Sequence, residues 1–479
     1  MASEIGPVEY RAFHGGMNSE TVDLLLPPET MRLIRNMDTD IVGGLRPRRG
    51  FSVVGDQVQD GKTCLGLYNF RDSGSGSNHR LISAFNNAGD TQAVTSYLNG
   101  ASWSAIGGGS SFTASAKFRF RTFLDYTFVT NSAHNPVLSW NGDTATNWGT
   151  THLSSAPAGQ FPEVFNDKLY LGHTVANPDR LYFSTVPTVA GVISWSTTEQ
   201  YLDVNPEDGM NMTGLHNNGL YLLIFKERAM YRWNGRSVEA NLLFDVGCTS
   251  NESIATRNGL TFFFNPYGIF ITQGDRPVII SKPIQRWIDA IDPAYFDQVS
   301  GECDEDNYYC SIGDVTVDGV SYSNAMLVYS ISMQGWRIYT YDEEIRYMAR
   351  YTDDSGLFAI VAGNDDGDVH QLNNTNLDGT DQIPYEFQTG RIGFGTYSQL
   401  KSFSHLFSFA DEIPGFEFQM ETDTEPFRTI IEQTEFASQT QGLNARGRYF
   451  RFAGRGEARG TRGLFHGFTI TDLGVEGYG

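Results

Sequence analysis

Apolar and polar residues alternate with a period of two along much of the chain, and turn residues break the alternation at intervals. Tyr97-Leu98-Asn99-Gly100 leads to Trp103, and Trp140-Asn141-Gly142 leads to Trp148. Trp233-Asn234-Gly235 follows, and Met333-Gln334-Gly335 runs straight into Trp336. Asn-Gly between alternating segments predicts hairpins, because both central residues of a tight type I′ turn need positive φ. The stretch Lys117-Phe118-Arg119-Phe120-Arg121-Thr122-Phe123 predicts a strand with its phenylalanines on a core and Lys117, Arg119 and Arg121 facing out. A nearly unbroken apolar run from Leu220 to Phe225 predicts a buried inner strand.

The hairpin signal recurs from Cys64 to Leu372, with units beginning near Cys64, Lys117, Phe161, Met210, Ser253, Val299 and Ile345. A four-stranded propeller blade needs roughly 40–50 residues, so this spacing predicts an all-β fold with a β-propeller of about seven blades. The last unit is short and needs a strand from elsewhere, which the chain before Cys64 can supply. Three parts are expected: an N-terminal arm over 1–60, a propeller over 61–375 and a β-sandwich-like domain over 376–479. In the arm, Pro28 fits a first helical turn, with Met31, Ile34 and Arg35 following at helical spacing, so a short helix is expected. A second is expected over Lys282–Asp289.

Composition fits short strands and tight turns: 479 residues, 13% aromatic, with 51 Gly and 17 Pro. The net charge of −22 predicts a soluble chain that repels nucleic acid. Residues 1–7 show no signal peptide, and no apolar run is long enough to span a bilayer, so synthesis in a cytoplasm is expected. Cys64, Cys248, Cys303 and Cys310 lack metal-binding spacing and read as buried thiols, although Cys303 and Cys310 could face each other across a hairpin. Arg71–Asn78 reads as a Gly/Ser-rich surface loop.

Charge is segregated. Arg35, Arg46, Arg48 and Arg49 form a basic cluster in the arm, and Arg446, Arg448, Arg451, Arg455, Arg459 and Arg462 crowd the C-terminal part. Between Asp297 and Asp381 there are 17 acidic residues against three arginines. They cluster as Glu302, Asp304, Glu305 and Asp306, then Asp342, Glu343 and Glu344, then Asp365, Asp366 and Asp368. Such clusters suit a glycosidase acid–base pair or calcium, but Asp366-Gly367 is turn chemistry first, and no closing Glu completes a calcium loop. Nucleophile elbow, P-loop, dinucleotide fingerprint, paired-His zinc motif and repeated Asp boxes are all missing. No enzyme activity, cofactor or resident metal is expected.

Three stretches of the arm carry a resemblance: Gly15-Gly16-Met17-Asn18, the Pro28–Asn36 segment, and Gly44-Leu45-Arg46-Pro47-Arg48-Arg49-Gly50. In these the chain resembles the hub and nozzle proteins of short-tailed bacteriophages, the tail tubular B and packaged-DNA stabilisation group. The resemblance covers the arm residue by residue and the remainder only as a pattern. It implies a structural virion protein that forms a ring, of roughly six copies, around the DNA conduit used in genome retention and ejection. The implied partners are copies of itself, a tail adaptor or connector, tail fibres, and duplex DNA that slides through without tight binding. The arginines Arg35, Arg46, Arg48, Arg49, Arg446, Arg448, Arg451 and Arg455 are then candidates for subunit interfaces. The acidic clusters are candidates for the lumen wall or for the opposing interface. Two other readings remain: a glycan-binding propeller or polysaccharide depolymerase of the tail, with carboxylates near Asp304 and Asp366, and a cellular propeller scaffold that binds peptides.

Overall fold

In a computed structural model of the chain, residues 3–475 are described except 41–42, 74–78, 110–111, 188–191, 353–355, 396, 412–414, 434–438, 459 and 461. Most of the Gly/Ser-rich loop and Arg459 therefore lie outside the described residues.

The fold is all-β, and its centre is a β-propeller. Six sheets of three or four antiparallel strands stand separately, spanning 64–105, 119–140, 161–203, 212–244, 255–279 and 345–375. The turns sit where glycine is needed: Gly100, Gly142 and Gly235 have φ of 66°, 78° and 79°. Cys64–Phe70 touches Arg119–Phe123, then Phe161–Phe165 and Met212–Asn217 follow in order; Met212–Asn217 meets the turn Asn251–Ser253, and Ala255–Arg257 touches Ser300–Cys303, which touches Ile345–Thr352. The strand Ile345–Thr352 packs back on Cys64–Phe70, so the ring closes.

Two features depart from the simple repeat. The unit starting near Val299 forms no separate sheet. Its four strands, over 300–340, continue through Trp336–Thr340 into a nine-stranded sheet, so six separate blades stand against the expected count of about seven. The last sheet is completed from the N-terminal arm, where Gly50–Val53 pairs antiparallel with Val369–Thr375.

The helix expected after Pro28 is instead a strand, Met31–Arg35. It lies between Trp336–Thr340, to which it runs parallel, and Ile383–Thr389, to which it runs antiparallel. Met31 and Ile34 are fully buried there. Burying each is worth about 1.5–3 kcal/mol, which outweighs the few tenths per residue at stake in helix propensity. The second expected helix is present as a 3-10 turn, Lys282–Ile284, running into the single α-helical turn Gln285–Asp289.

Strands after residue 375 do not pair only among themselves. Ile383–Thr389, Phe450–Ala458, Phe416–Thr422 and Arg428–Gln433 extend the nine-stranded sheet. The others build an eight-stranded sheet that also takes Ser3–Ile5, Val8–Tyr10, Met37–Thr39 and Leu45–Pro47 from the arm. Rings from the two sheets meet between them, with Phe387 and Phe465 5.0 Å apart and Phe418 and Phe468 5.3 Å apart.

The arm thus threads both large sheets and the last blade. Gly16 has φ of 67°, and a Cβ on it would lie 2.6 Å from the backbone of Gly335 and of Trp336. Asn36, buried with φ of 53°, donates to the Pro384 carbonyl at 2.7 Å and accepts from Arg48 Nε at 3.0 Å. Among the described residues no helix is long and apolar enough to cross a membrane. All four cysteines are buried and free.

Candidate functional site

The propeller axis holds a cavity of about 420 Å³. Its wall comes from the first strands of the blades, and the alternation of those strands explains its chemistry. Where one side chain enters the packing between blades, its neighbour faces the axis. All four of Phe118, Arg119, Phe120 and Arg121 border the cavity; Phe118 and Phe120 are buried in an aromatic cluster, and Arg119 and Arg121 bring the charge. The side of this strand expected to face solvent faces the axial channel instead.

The channel charges are matched across blades. Arg121 holds Glu163 through two hydrogen bonds of 2.9 Å. Glu252, in the 3-10 turn Asn251–Ser253, takes Arg119 at 2.8 Å and Lys117 at 3.2 Å. Arg350 pairs with Glu302 at 3.2 Å. Neutral links continue the circuit, with Tyr68 and Thr122 at 2.8 Å and His216 Nε2 and Thr256 at 2.6 Å.

Burial alone would push these carboxyls up. At Glu252 burial is outweighed by Arg119 and Lys117, which bring it down to about 2. At Glu163 burial is outweighed by Arg121, so it too lies low. At Glu302 burial prevails over Arg350 and Arg121, and the carboxyl is raised. Burial pulls His216 down to about 4, so it is neutral at pH 7. Acids and bases paired in this way brace the blades.

The arginine candidates separate into two groups. Arg48 is fully buried and therefore unavailable as an interface side chain. It holds Asp378 through contacts of 2.5 and 2.8 Å, donates to the Thr340 carbonyl and lies 4.2 Å over the Tyr341 ring. Arg451 pairs with Asp23 and Glu421, and Arg35 with Glu386 at 3.5 Å. Arg455 is more exposed and holds Glu417 at 2.8 Å. Arg46, Arg49, Arg446 and Arg448 are exposed at the surface.

The acidic candidates fall in three places. Glu302 is in the axial channel. Asp304 and Asp306 share a second concavity of about 540 Å³ with Arg46, Arg49, Arg337 and Arg462, so basic arm and acidic cluster meet within one chain. There Asp304 accepts from the Asp306 and Asn307 amides and the Tyr309 hydroxyl, while Asp306 accepts from Ser330. Glu305 is exposed beside Arg257 at 3.7 Å, and Asp342 is exposed.

The third place is the rim of the closing blade. Glu343, Glu344, Asp365, Asp366 and Asp368 gather there with a residue the sequence did not single out, His370. Asn364 organises the turn: its side chain donates to Glu343 and accepts from the Asp366 and Asp368 amides. Asp365 accepts from the Glu344 amide at 3.1 Å, and Glu344 pairs with Arg346. Burial first, then the neighbouring carboxylates, raise both Glu343 and Asp368. His370 is 3% exposed, with its ring stacked 4.1 Å from that of Phe51, and burial brings it down to about 4.

No family model and no curated protein matches the chain. The solved structures similar to it include the following two. YCF48 from Cyanidioschyzon merolae is 11% identical, with 66% of this chain covering 98% of that one at a TM-score of 0.40. The extracellular domain of a protein described as a hybrid two-component system of B. thetaiotaomicron is 11% identical, with 85% of this chain covering 58% of that one at a TM-score of 0.43. The propeller assignment rests on the strand pairing and the closed ring of first strands.

Proposed function

We propose that the chain is a structural subunit of a short bacteriophage tail, of the hub or nozzle kind, that assembles into a ring around a DNA conduit. The observation that supports this reading is the placement of the arm. Gly16, Asn36 and Gly50, which carry the resemblance, are residues on which the packing of the chain depends. A Cβ on Gly50 would lie 1.9 Å from the Leu377 carbonyl oxygen. A motif spent on architecture suits a protein whose work is to be a rigid block.

Within this reading the 300–340 strands are a seventh blade, fused edge-on to a β-sandwich-like domain made from the residues beyond 375. The fusion gives one stiff body. The net charge of −22 favours a wall along which duplex DNA slides without sticking. Exposed Arg46, Arg49 and Arg448 are candidates to meet a neighbour, and Arg446 is exposed beside them, with Glu305, Asp342 and Asp366 as acidic counterparts. The site of action is the virion tail, after assembly in the host cytoplasm.

The test is assembly. Purified full-length chain, alone and mixed with a tail connector, is sized by light scattering and imaged in negative stain. Closed rings with an open lumen are expected. A monomer that stays monomeric with the connector, or a chain that binds duplex DNA tightly with a steep salt dependence, overturns the reading.

A further inference from the structure

The rim of the closing blade holds a constellation that a structural block does not need. Glu343 lies between the strands Trp336–Thr340 and Ile345–Thr352, Asp368 follows the turn after Phe358–Asn364, and His370 lies on Val369–Thr375. One oxygen from each carboxylate and one imidazole nitrogen lie within 4.8 Å of one another.

Two independent features point to a ligand. The first is charge without compensation. Asp368 faces Asp366 and Asp60, and Glu343 faces Asp365, Asp366 and Asp368. Among the described residues neither Glu343 nor Asp368 has a lysine or arginine partner, in contrast to the channel carboxylates. The second is His370. It is nine-tenths buried or more, and its Nε2 aims into the cluster at 3.5 Å from Glu343 Oε2. Among the described residues neither ring nitrogen makes a hydrogen bond. A buried polar group is ordinarily paired, so an imidazole that points at carboxylates without a hydrogen bond is an incomplete arrangement.

We propose that Glu343, Asp368 and His370 bind a divalent transition cation of the manganese or zinc class at the seam where the N-terminal arm closes the propeller. Donor chemistry sets the class: imidazole nitrogen suits transition metals, whereas calcium and magnesium take oxygen ligands throughout. Ligands about 2.1 Å from a metal lie roughly 3–3.5 Å from each other, so the present spacing closes by small side-chain rotations. Asn364 holds Glu343 from behind and orients it, as a supporting partner does in a metal site. The sequence favours a simple turn at Asp366-Gly367 because nothing nearby in the chain supplies Glu343. The fold supplies it from the neighbouring connection.

The consequence is local. His370 pairs in register with Val53 of the closing strand, and Phe51 of that strand stacks on the imidazole. A metal bound here ties the preceding connection to the seam, so its binding energy adds to closure of the ring.

The test uses the full-length chain, stripped with chelator and titrated with Mn²⁺ and, separately, Zn²⁺ by calorimetry, with Mn²⁺ paramagnetic resonance as a second readout. Saturable binding of a single equivalent is expected, with Ca²⁺ and Mg²⁺ weaker. Glu343→Gln, Asp368→Asn and His370→Gln should each weaken Mn²⁺ binding about tenfold or more. Metal should also slow amide exchange in residues 50–53 and 369–371. Metal-free melting of each variant shows that it is folded, and the part-exposed Glu343 and Asp368 keep the test valid if His370→Gln does not fold. Absence of saturable Mn²⁺ and Zn²⁺ binding overturns the proposal. Binding unchanged in Glu343→Gln overturns it, as does preferential Ca²⁺ binding unaffected by His370→Gln.

Discussion

The axial channel and the rim of the closing blade use the same side chains to opposite ends. In the channel, buried glutamates meet cations from neighbouring blades, with Glu252 between Arg119 and Lys117 and Glu163 gripped by Arg121. At the rim, Glu343 and Asp368 face other carboxylates and a neutral imidazole. How firmly cations hold a carboxylate decides its state. Arg119 and Lys117 pull Glu252 down to about 2, the two-bond grip of Arg121 lowers Glu163, Arg350 and Arg121 leave Glu302 raised by burial, and the rim pair, with no lysine or arginine among the described residues, is raised by burial and repulsion together. Among the described residues the channel carboxylates each meet a lysine or arginine and brace the ring, whereas Glu343 and Asp368 meet neither and call for a cation.

The largest effect should come from breaking the complete side. Glu252→Gln leaves Arg119 and Lys117 facing each other in a buried site, and removal of one partner of a buried pair costs about 3–5 kcal/mol. The urea midpoint of the full chain should fall accordingly. Adding Arg119→Met to Glu252→Gln should restore part of the loss. If Glu252→Gln alone is neutral, the channel pairs are not what braces the blades.

Acid should separate the two regions by sign. The folded value of Glu252, about 2, lies below its ordinary 4.5, so its contribution is full above 4.5 and is lost as the pH falls through about 2. Glu163 acts in the same direction. Glu343 and Asp368 are raised, so their repulsion weakens the folded state above their folded values and is relieved as the pH falls through them. In metal-free protein the carboxyl groups give two limbs, a relief of the Glu343 and Asp368 repulsion on mild acidification and a loss of the Glu252 contribution below about pH 4.5, and both are superposed on the loss from His216 and His370, which are held neutral down to about 4 and take up protons on unfolding below 6.5. Chemical denaturation across this range measures both limbs. Glu252→Gln should flatten the lower limb and leave the upper one.

The same contrast explains what the sequence could and could not disclose. Local turn chemistry was legible in part: the Asn-Gly and Gln-Gly pairs fall at turns with positive φ at Gly100, Gly142, Gly235 and Gln334, but Asn99, Asn141, Asn234 and Gly335 do not share it, so these are not the expected type I′ turns. The alternation in Lys117–Phe123 correctly sorted Phe118 and Phe120 from Arg119 and Arg121. It could not say that the outward side looks onto an axis, since Glu163 and Glu252 come from later blades. The Met31–Arg35 strand was misread for the same reason. Its partners, Ile338 and Glu386, lie 303 and 351 residues beyond Arg35, and only their proximity makes a strand better than a helix. At the rim the acidic clusters were visible, but His370 was lost among nine scattered histidines until the fold set it beside Glu343.

The smallest expected effect sharpens the comparison most, because its sign is unusual. Glu343→Gln removes a carboxylate that repels Asp368 and keeps a side chain of nearly the same shape. In metal-free buffer at pH 7 the variant should be more stable than the parent chain, by a few tenths to about 1 kcal/mol, since a side chain 37% exposed is partly screened by water. Saturating Mn²⁺ should reverse the order, because the parent chain gains binding energy that the variant has lost. Paired urea titrations with and without metal read both signs on one preparation. A variant less stable than the parent in the absence of metal would mean that Glu343 serves the fold through Asn364, and that the rim is as complete as the channel.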